Sequence, residues 1–226
     1  MTTPAHTPAT AQTAWPVFSF FKAPVTTTVP HRTVNLRQVY NAIRGPYYQP
    51  QTEALRALVS LQREGRADKN EPKRYKSLHF DYACFSGTFA RRTDSALLQH
   101  SSLLCLDFDH VDTWCAARSP LADTLGHPDP EAIRGVYGLR YALLNDDYFD
   151  TQLLFRSPSG DGLKWVVEID LTQGTHAQYF EALSHYLQAT YGVSVDPSGR
   201  NLSRACYLPH DPDAVINPKY LNEDEK

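Results

Sequence analysis

The sequence predicts an α+β fold, and three observations carry that assignment. Helical periodicity is confined to a few capped segments, short apolar runs with strand character lie between them, and the two alternate without a regular strand–helix–strand repeat. At 226 residues the chain can bury a real core, as one large domain or two small ones.

Residues 1–30 are rich in Thr, Ala and Pro and predict a partly disordered N-terminal segment, with no order in the first dozen or so. The cluster Trp15, Phe18, Phe20 and Phe21 is too apolar for a free tail, so Val17–Phe21 is expected to form an edge strand or to pack on the core. Asn35 has the character of an N-cap and opens a helix, LRQVYNAIR, that stops at Gly45 and Pro46. Thr52 opens a second helix, EALRALVSLQRE, with Leu55, Leu58, Val59 and Leu61 as its apolar positions and Gly65 as its stop. Residues 63–76, REGRADKNEPKRYK, hold six basic side chains and no aliphatic run, which predicts an exposed loop or linker and the best internal boundary.

From Leu78 the pattern turns to strands. Residues 78–85 (LHFDYACF) lead into a turn at 86–89, and 102–108 (SLLCLDF) form a nearly continuous apolar run ending in acid, as expected of a buried strand emerging at its C-terminal end. Helical stretches are expected over 112–118 and 130–144, with a break at 126–130. Residues 152–155 and 163–169 flank the turn SPSGDG as a hairpin. The clearest amphipathic helix is 175–191, capped by Thr175 and closed by Gly192, and short strands at 193–195 and 205–208 flank the polar segment DPSGRNLSR. No internal repeat is visible. The domain assignment is therefore a globular unit over 31–220 between the N-terminal segment and a disordered tail at 221–226.

Composition narrows the function classes. The chain is 42% hydrophobic and 21% charged, ordinary globular material. Mean hydropathy is −0.45, and no run approaches the roughly 18 apolar residues of a spanning helix. The N-terminus lacks a basic region followed by an apolar stretch, so no secretory signal is expected. Cys84, Cys105, Cys115 and Cys206 are widely spaced with no CxxC, which predicts reduced thiols in a cytoplasmic protein, without a zinc ribbon or disulfide scaffold. The net charge of −3 hides a split: residues 1–100 hold 13 Lys+Arg against 6 Asp+Glu, whereas 101–226 hold 9 against 19. Such asymmetry hints at an anionic partner on one side and a cation site on the other.

Three segments could carry chemistry. In Leu104-Cys105-Leu106-Asp107-Phe108-Asp109-His110 the two acids are i, i+2 on a strand, hence side by side on one face. Adjacent carboxylates need a cation or a shared proton, and an all-oxygen ligand set suits Mg²⁺ or Mn²⁺, which commonly work with phosphates. In Ser157-Pro158-Ser159-Gly160-Asp161-Gly162-Leu163-Lys164, glycines let backbone amides converge on an anion, with Lys164 adding a point charge; the plain alternative is a hairpin turn. It is not a Walker A loop, because GxxxxGK[ST] is absent and the segment enters a strand. The third, Asp196-Pro197-Ser198-Gly199-Arg200-Asn201-Leu202-Ser203-Arg204, offers one more carboxylate followed by arginines suited to a phosphate tail.

The stretches LDFDH, FRSPSGDGLKWVVEID and VDPSGRNLSRACYLPHDPDAVINP resemble the VirE-like N-terminal domain of mobile-element proteins, a family placed in the archaeo-eukaryotic primase (primase-polymerase) superfamily. The resemblance spans about residues 75–220. It implies a primase-like core, an RRM-like module joined to a smaller α/β module with the active site between them. By position, the metal-binding acid pair of the superfamily falls on Asp107 and Asp109, and its lone metal-binding acid on Asp196. The phosphate-contacting turn falls on Ser159, Gly160, Gly162 and Lys164, where Lys164 replaces the usual His; Arg204 joins Lys164 in holding a triphosphate. The implied reaction is metal-dependent nucleotidyl transfer in replication of a mobile genetic element, with Mg²⁺ or Mn²⁺ as cofactor and an NTP or dNTP as substrate.

A single-stranded DNA template would then need basic surface, and Arg63, Arg66, Lys69, Lys73, Arg74 and Lys76, with Arg91 and Arg92, supply the candidates. Two alternatives remain. One is a catalytically inactive module that binds nucleic acid or nucleotides and works with a helicase-like ATPase on another domain or chain. The other is a metal-dependent nuclease, for which no general base stands out.

Overall fold

The computed structural model describes residues 15–115 and 133–221. In chain order the first elements are β1 (Val17–Phe21), β2 (Arg32–Asn35), α1 (Leu36–Arg44), α2 (Gln49–Arg63) and α3 (Glu71–His79). Then come β3 (Tyr82–Cys84), β4 (Gly87–Phe89), β5 (Leu97–His100), β6 (Leu103–Phe108) and α4 (Gly135–Leu144). The remainder is β7 (Thr151–Arg156), β8 (Leu163–Glu168), α5 (His176–Tyr191), β9 (Cys206–Tyr207) and β10 (Val215–Ile216). All strand pairings among these elements are antiparallel, so the described chain is α+β. None of the described helices is long and apolar enough to cross a membrane.

Two four-stranded sheets, ordered β2-β1-β3-β9 and β10-β7-β8-β6, form the body. Strand alternation assigns their faces. Phe18, Phe20 and Ala83 of the first sheet meet Leu103, Leu153, Phe155 and Val166 of the second, with α1 closing this inter-sheet core through Leu36, Val39 and Ile43. The opposite face of the second sheet, through Leu104, Leu106, Phe108, Trp165 and Val167, is covered by α4 and α5. The opposite face of the first, through Phe21, Tyr82 and Cys84, lies under the β4–β5 hairpin.

Local signals in the sequence explain several boundaries. Asn35 caps α1 by accepting from the Gln38 amide at 2.9 Å, while Gln38 Oε1 accepts from the Asn35 amide at 3.1 Å, a reciprocal capping box. Thr175 and Gln178 do the same for α5, which ends at Gly192 in the left-handed region (φ 64°). The hairpin β7–β8 and strand β6 lie where the apolar runs placed them.

Other expectations are corrected. Val17–Phe21 packs on the core, one of the two expectations for it, but as an inner strand and not an edge one: it pairs with β2 on one side and β3 on the other, and its phenylalanines serve both faces of the sheet. The second helix starts at Gln49, three residues before Thr52, because Pro50 is tolerated in the first turn; Thr52 is buried and its hydroxyl accepts from the His210 amide at 2.8 Å. The basic segment 63–76 is not a loop throughout. From Glu71 it is helix α3, with Pro72 in the first turn, acid at its N-terminal end and Lys76 and His79 at its C-terminal end, the arrangement the helix dipole favours. That helix absorbs Leu78, which is half exposed, so the strand starts only at Tyr82.

Of the segment expected as a turn at 86–89, only Ser86 belongs to one, with Phe85. Gly87–Phe89 is strand β4, where glycine marks close approach, since a Cβ on Gly87 would clash with the Gln99 carbonyl oxygen of β5. Residues 193–195 form no strand, although Val193 is buried against the α4–α5 core. The helix expected over 112–118 shows only a 3₁₀ turn at Val111–Thr113, and residues from 116 lie outside the described set. The helix expected over 130–144 begins at Gly135, with 130–132 likewise outside it. So do the break at 126–130, the first dozen residues and all but the first residue of the 221–226 tail.

Candidate functional site

Strand alternation fixes where Asp107 points. Leu104, Leu106 and Phe108 of β6 face the helices, so Leu103, Cys105 and Asp107 face the inter-sheet core. Asp107 takes the last inward position before the strand leaves that core, and 8% of the residue is exposed. Asp109 follows past the strand end on an exposed rim. Asp196 arrives from the segment after α5, where its backbone amide donates to the Asp107 carbonyl at 2.9 Å. One carboxylate oxygen from each of the three lies within 4.8 Å of the others. The acids of the first and third segments therefore converge.

Two cations already sit among them. Lys164 is the direct cross-strand partner of Asp107 in the β6–β8 register, and its Nζ forms an ion pair with Asp107 Oδ2. Burial works against the Lys164 charge, but Asp107 outweighs it and holds the ammonium above the ordinary lysine range. Arg204 Nη2 lies 2.5 Å from Asp196 Oδ2 and 3.5 Å from Asp107 Oδ2. Burial also opposes ionisation of Asp196, yet hydrogen bonds from Ser198 and the Arg204 charge hold its carboxyl below the usual range. Asp109 goes the other way: protein around the carboxyl desolvates it and Asp107 repels its charge, so it is raised. From α3, Lys76 approaches the same acids, and burial together with the Lys164 charge lowers it. Formal charge is thus balanced, but Asp107 Oδ1 is buried without a hydrogen-bond partner.

The turn 157–162 is fixed from within. The Gly160 amide donates to the Ser157 carbonyl at 3.0 Å, and the Gly162 amide to Ser157 Oγ at 3.1 Å. Ser159 Oγ donates to Asp161 Oδ1 at 2.6 Å. Two amides expected to converge on an anion are therefore committed inside the turn, and Gly160 (φ 89°) serves the hairpin geometry. Gly162 serves close packing, since a Cβ there would fall 2.2 Å from the Phe108 carbonyl oxygen. Sequence reasoning missed Asp161 as an organiser. Its Oδ2 accepts from Arg63 Nη2 at 3.0 Å and shares a 2.9 Å hydrogen bond with His110 Nδ1, tying the turn to α2 and to the end of β6. An Asp between glycines is an ordinary turn signal, and its partners Arg63 and His110 lie 98 and 51 positions away, so no local signal marked it.

A cleft of about 840 Å³ opens over this site. It is lined by Asp109, Asp196 and Arg204, by Ser159 and Asp161 of the turn, and by residues of α2 and α3. Of the candidate template residues, Arg63, Lys69, Lys73 and Lys76 line it, although Arg63 is engaged by Asp161. Arg66 pairs with Glu64 at 2.9 Å and does not line it; neither do Arg74 and Arg91. Arg92 packs on the Tyr82 ring and donates to the Val25 carbonyl at 2.9 Å, a structural position.

These residues fit a divalent cation. Asp107 Oδ1 lacks a donor, and a carboxylate oxygen from each of Asp107, Asp109 and Asp196 is close enough to the others to share one ion.

The family model described as BT4734-like, N-terminal domain, matches residues 140–215. The chain is similar to that family over about a third of its length (76 of 226 residues), a stretch that contains Lys164, Asp196 and Arg204 but not Asp107 and Asp109. No curated protein and no solved structure matches the chain.

Proposed function

We propose that this chain is a primase-polymerase-like nucleotidyltransferase serving replication of a mobile genetic element, with a primase-like core formed by the two sheets and the active site in the cleft beside them. One observation carries the proposal: Asp107 and Asp109 from one segment and Asp196 from another bring three carboxylates within reach of a common ion, with one Asp107 oxygen buried and lacking a donor, beside a cleft lined by Lys69, Lys73 and Lys76. Asp107, Asp109 and Asp196 would hold Mg²⁺ or Mn²⁺, which when bound lowers the pKa of an attacking hydroxyl and offsets charge on the departing pyrophosphate. Arg204, which pairs with Asp196 and lies near Asp107, would bind the triphosphate of an NTP or dNTP. Lys164 is too committed to Asp107 to act as a mobile phosphate clamp, so its role is to fix the orientation of that carboxylate. Lys69, Lys73 and Lys76 would face a single-stranded DNA template.

A second reading has its own support. Lys164 and Arg204 neutralise the acids without any metal, and the turn amides are spent internally, as suits a non-catalytic module that binds nucleotides or nucleic acid beside a helicase-like ATPase partner. Incorporation of labelled NTPs and dNTPs on primed and unprimed templates with Mg²⁺ or Mn²⁺ separates the two. Activity lost in Asp107→Asn and Asp196→Asn supports the first. Template binding without incorporation, unchanged in those variants, leaves the second.

A further inference from the structure

The outer face of α4 carries Tyr137 and Tyr141 one turn apart, 63% and 45% exposed. A surface helix normally shows charged or small polar residues on this side, so two neighbouring unsheltered rings mark a contact surface. The guanidinium of Arg156 lies 5.8 Å over the Tyr137 ring, and its Nε donates to the Gly160 carbonyl at 2.5 Å. Arg56 reaches the same glycine from α2: a Cβ built on Gly160 would lie 3.1 Å from Arg56 Nε and 3.5 Å from Arg156 Nη2. Two guanidiniums therefore sit side by side on the back of the turn whose Ser159 and Asp161 line the cleft.

This pair is short of acceptors. Arg56 Nε and Nη2 are buried without a hydrogen-bond partner, and burial together with the Arg156 charge lowers the pKa of Arg56. The nearby carboxylates are already engaged: Asp211 Oδ2 accepts from the Arg156 amide at 2.7 Å and lies 3.6 Å from Arg140 Nη1, and Glu53 Oε1 accepts from Gln49 Nε2 at 2.8 Å. The unpartnered Arg56 atoms are closed to solvent, but the two adjacent cations leave an excess of positive charge on this side of the turn, which favours an anion at its outer edge. Planar rings beside a cation pair fit a polyanion with stackable bases better than they fit a protein surface.

We propose that this face binds single-stranded nucleic acid as a continuation of the cleft: the strand passes over the 157–162 turn, places a phosphate against Arg56 and Arg156, and stacks bases on Tyr137 and Tyr141. The path ends before Tyr148, where the exposed acids Asp147 and Asp150 repel phosphates. The proposal rests on the template reading of the cleft.

The test compares fluorescently labelled oligo-dT of about 6 and about 20 nucleotides, lengths within and beyond a single compact binding site, by anisotropy on the full chain. Tyr137→Ala/Tyr141→Ala should weaken the longer strand at least about fivefold and the shorter less than about twofold, the loss expected for removed stacking platforms. Arg56→Gln should lower the salt slope for the longer strand by about 0.7, one phosphate contact. A strand carrying 5-iodouracil should crosslink to Tyr137 or Tyr141, a readout independent of variant stability. Unchanged affinity of the tyrosine variants together with absent crosslinks overturns the proposal and leaves the face to a protein partner. Equal wild-type affinity for both lengths overturns this surface while the cleft reading stands, and no binding of either length overturns both.

Discussion

Lys164 and Asp107 face each other across β8 and β6 and form an ion pair almost closed to water, their side chains 8% and 11% exposed. The lysine is a buried structural partner of the acid it neutralises. Removing the lysine leaves Asp107 buried with Arg204 at 3.5 Å as its remaining ion-pair partner, so Lys164→Met should destabilise the protein by about 3 kcal/mol, the lower end for a broken buried pair. Adding Asp107→Leu should recover most of that loss. Urea unfolding of the single and double variants checks both; a single variant as stable as wild type would show that Asp107 does not need this partner.

The acid site should bind a divalent ion with a pH dependence set by Asp109. A ligand must be deprotonated, and a carboxyl raised above its ordinary value takes up its proton at higher pH. As pH falls, Mg²⁺ or Mn²⁺ affinity should therefore begin to drop above the ordinary aspartate range. Titration calorimetry from about pH 7 down to about pH 4 measures it. Asp107→Asn should abolish the binding at every pH, and persistent binding in that variant would place the ion elsewhere.

The basic residues should divide by position. Replacing Lys69, Lys73 and Lys76, which line the cleft, with Gln should reduce the salt slope of single-strand binding by about 2, or about 0.7 per phosphate contact. The same change at Arg66, Arg74 and Arg91, which do not line it, should leave the slope unaltered. Equal effects from both sets would mean that template binding follows net charge and not this groove.

Away from the acids, His100 Nε2 and His176 Nδ1 lie 3.1 Å apart, and His176 Nε2 lies 3.3 Å from the Gly199 carbonyl in the segment that carries Asp196 and Arg204. Burial and the neighbouring His176 push His100 down to about 4, and burial lowers His176 as well. Both are depressed below the unfolded value of about 6.5, so the unfolded chain binds more protons in this window. Stability should thus be fully present above about pH 6.5 and decline as pH falls toward about 4. Thermal unfolding across that range should show a flatter profile for His100→Gln/His176→Gln than for wild type.

Capping and apolar periodicity made much of the fold legible. Asn35 with Gln38, Thr175 with Gln178 and Gly192 are local chemical signals, and the helices they bound lie where those residues place them. The run at 102–108 became β6 because an apolar stretch of that length has to be buried wherever it lands. Signals with two physical uses misled: Gly87 serves strand contact instead of a turn, and the basic run from Glu71 covers a helix because long cationic side chains tolerate helical geometry as well as a loop.

Spacing in the sequence is enough to put Asp107 and Asp109 in one neighbourhood, although Asp109 lies just past the end of β6 and not on it. The resemblance alone groups Asp196 with them; what brings it there is the fold, which joins its backbone amide to the Asp107 carbonyl across 89 positions of chain (196 − 107). The tertiary structure also decided that Lys164 is buried against Asp107, that Asp161 anchors its own turn, and that four of the eight candidate basic residues line the cleft. The physical reason is range. Caps, strand alternation and turns follow from neighbours within a few residues, whereas the partner a charge finds depends on which distant segments share its side of a sheet, and that is fixed only when the two sheets pack.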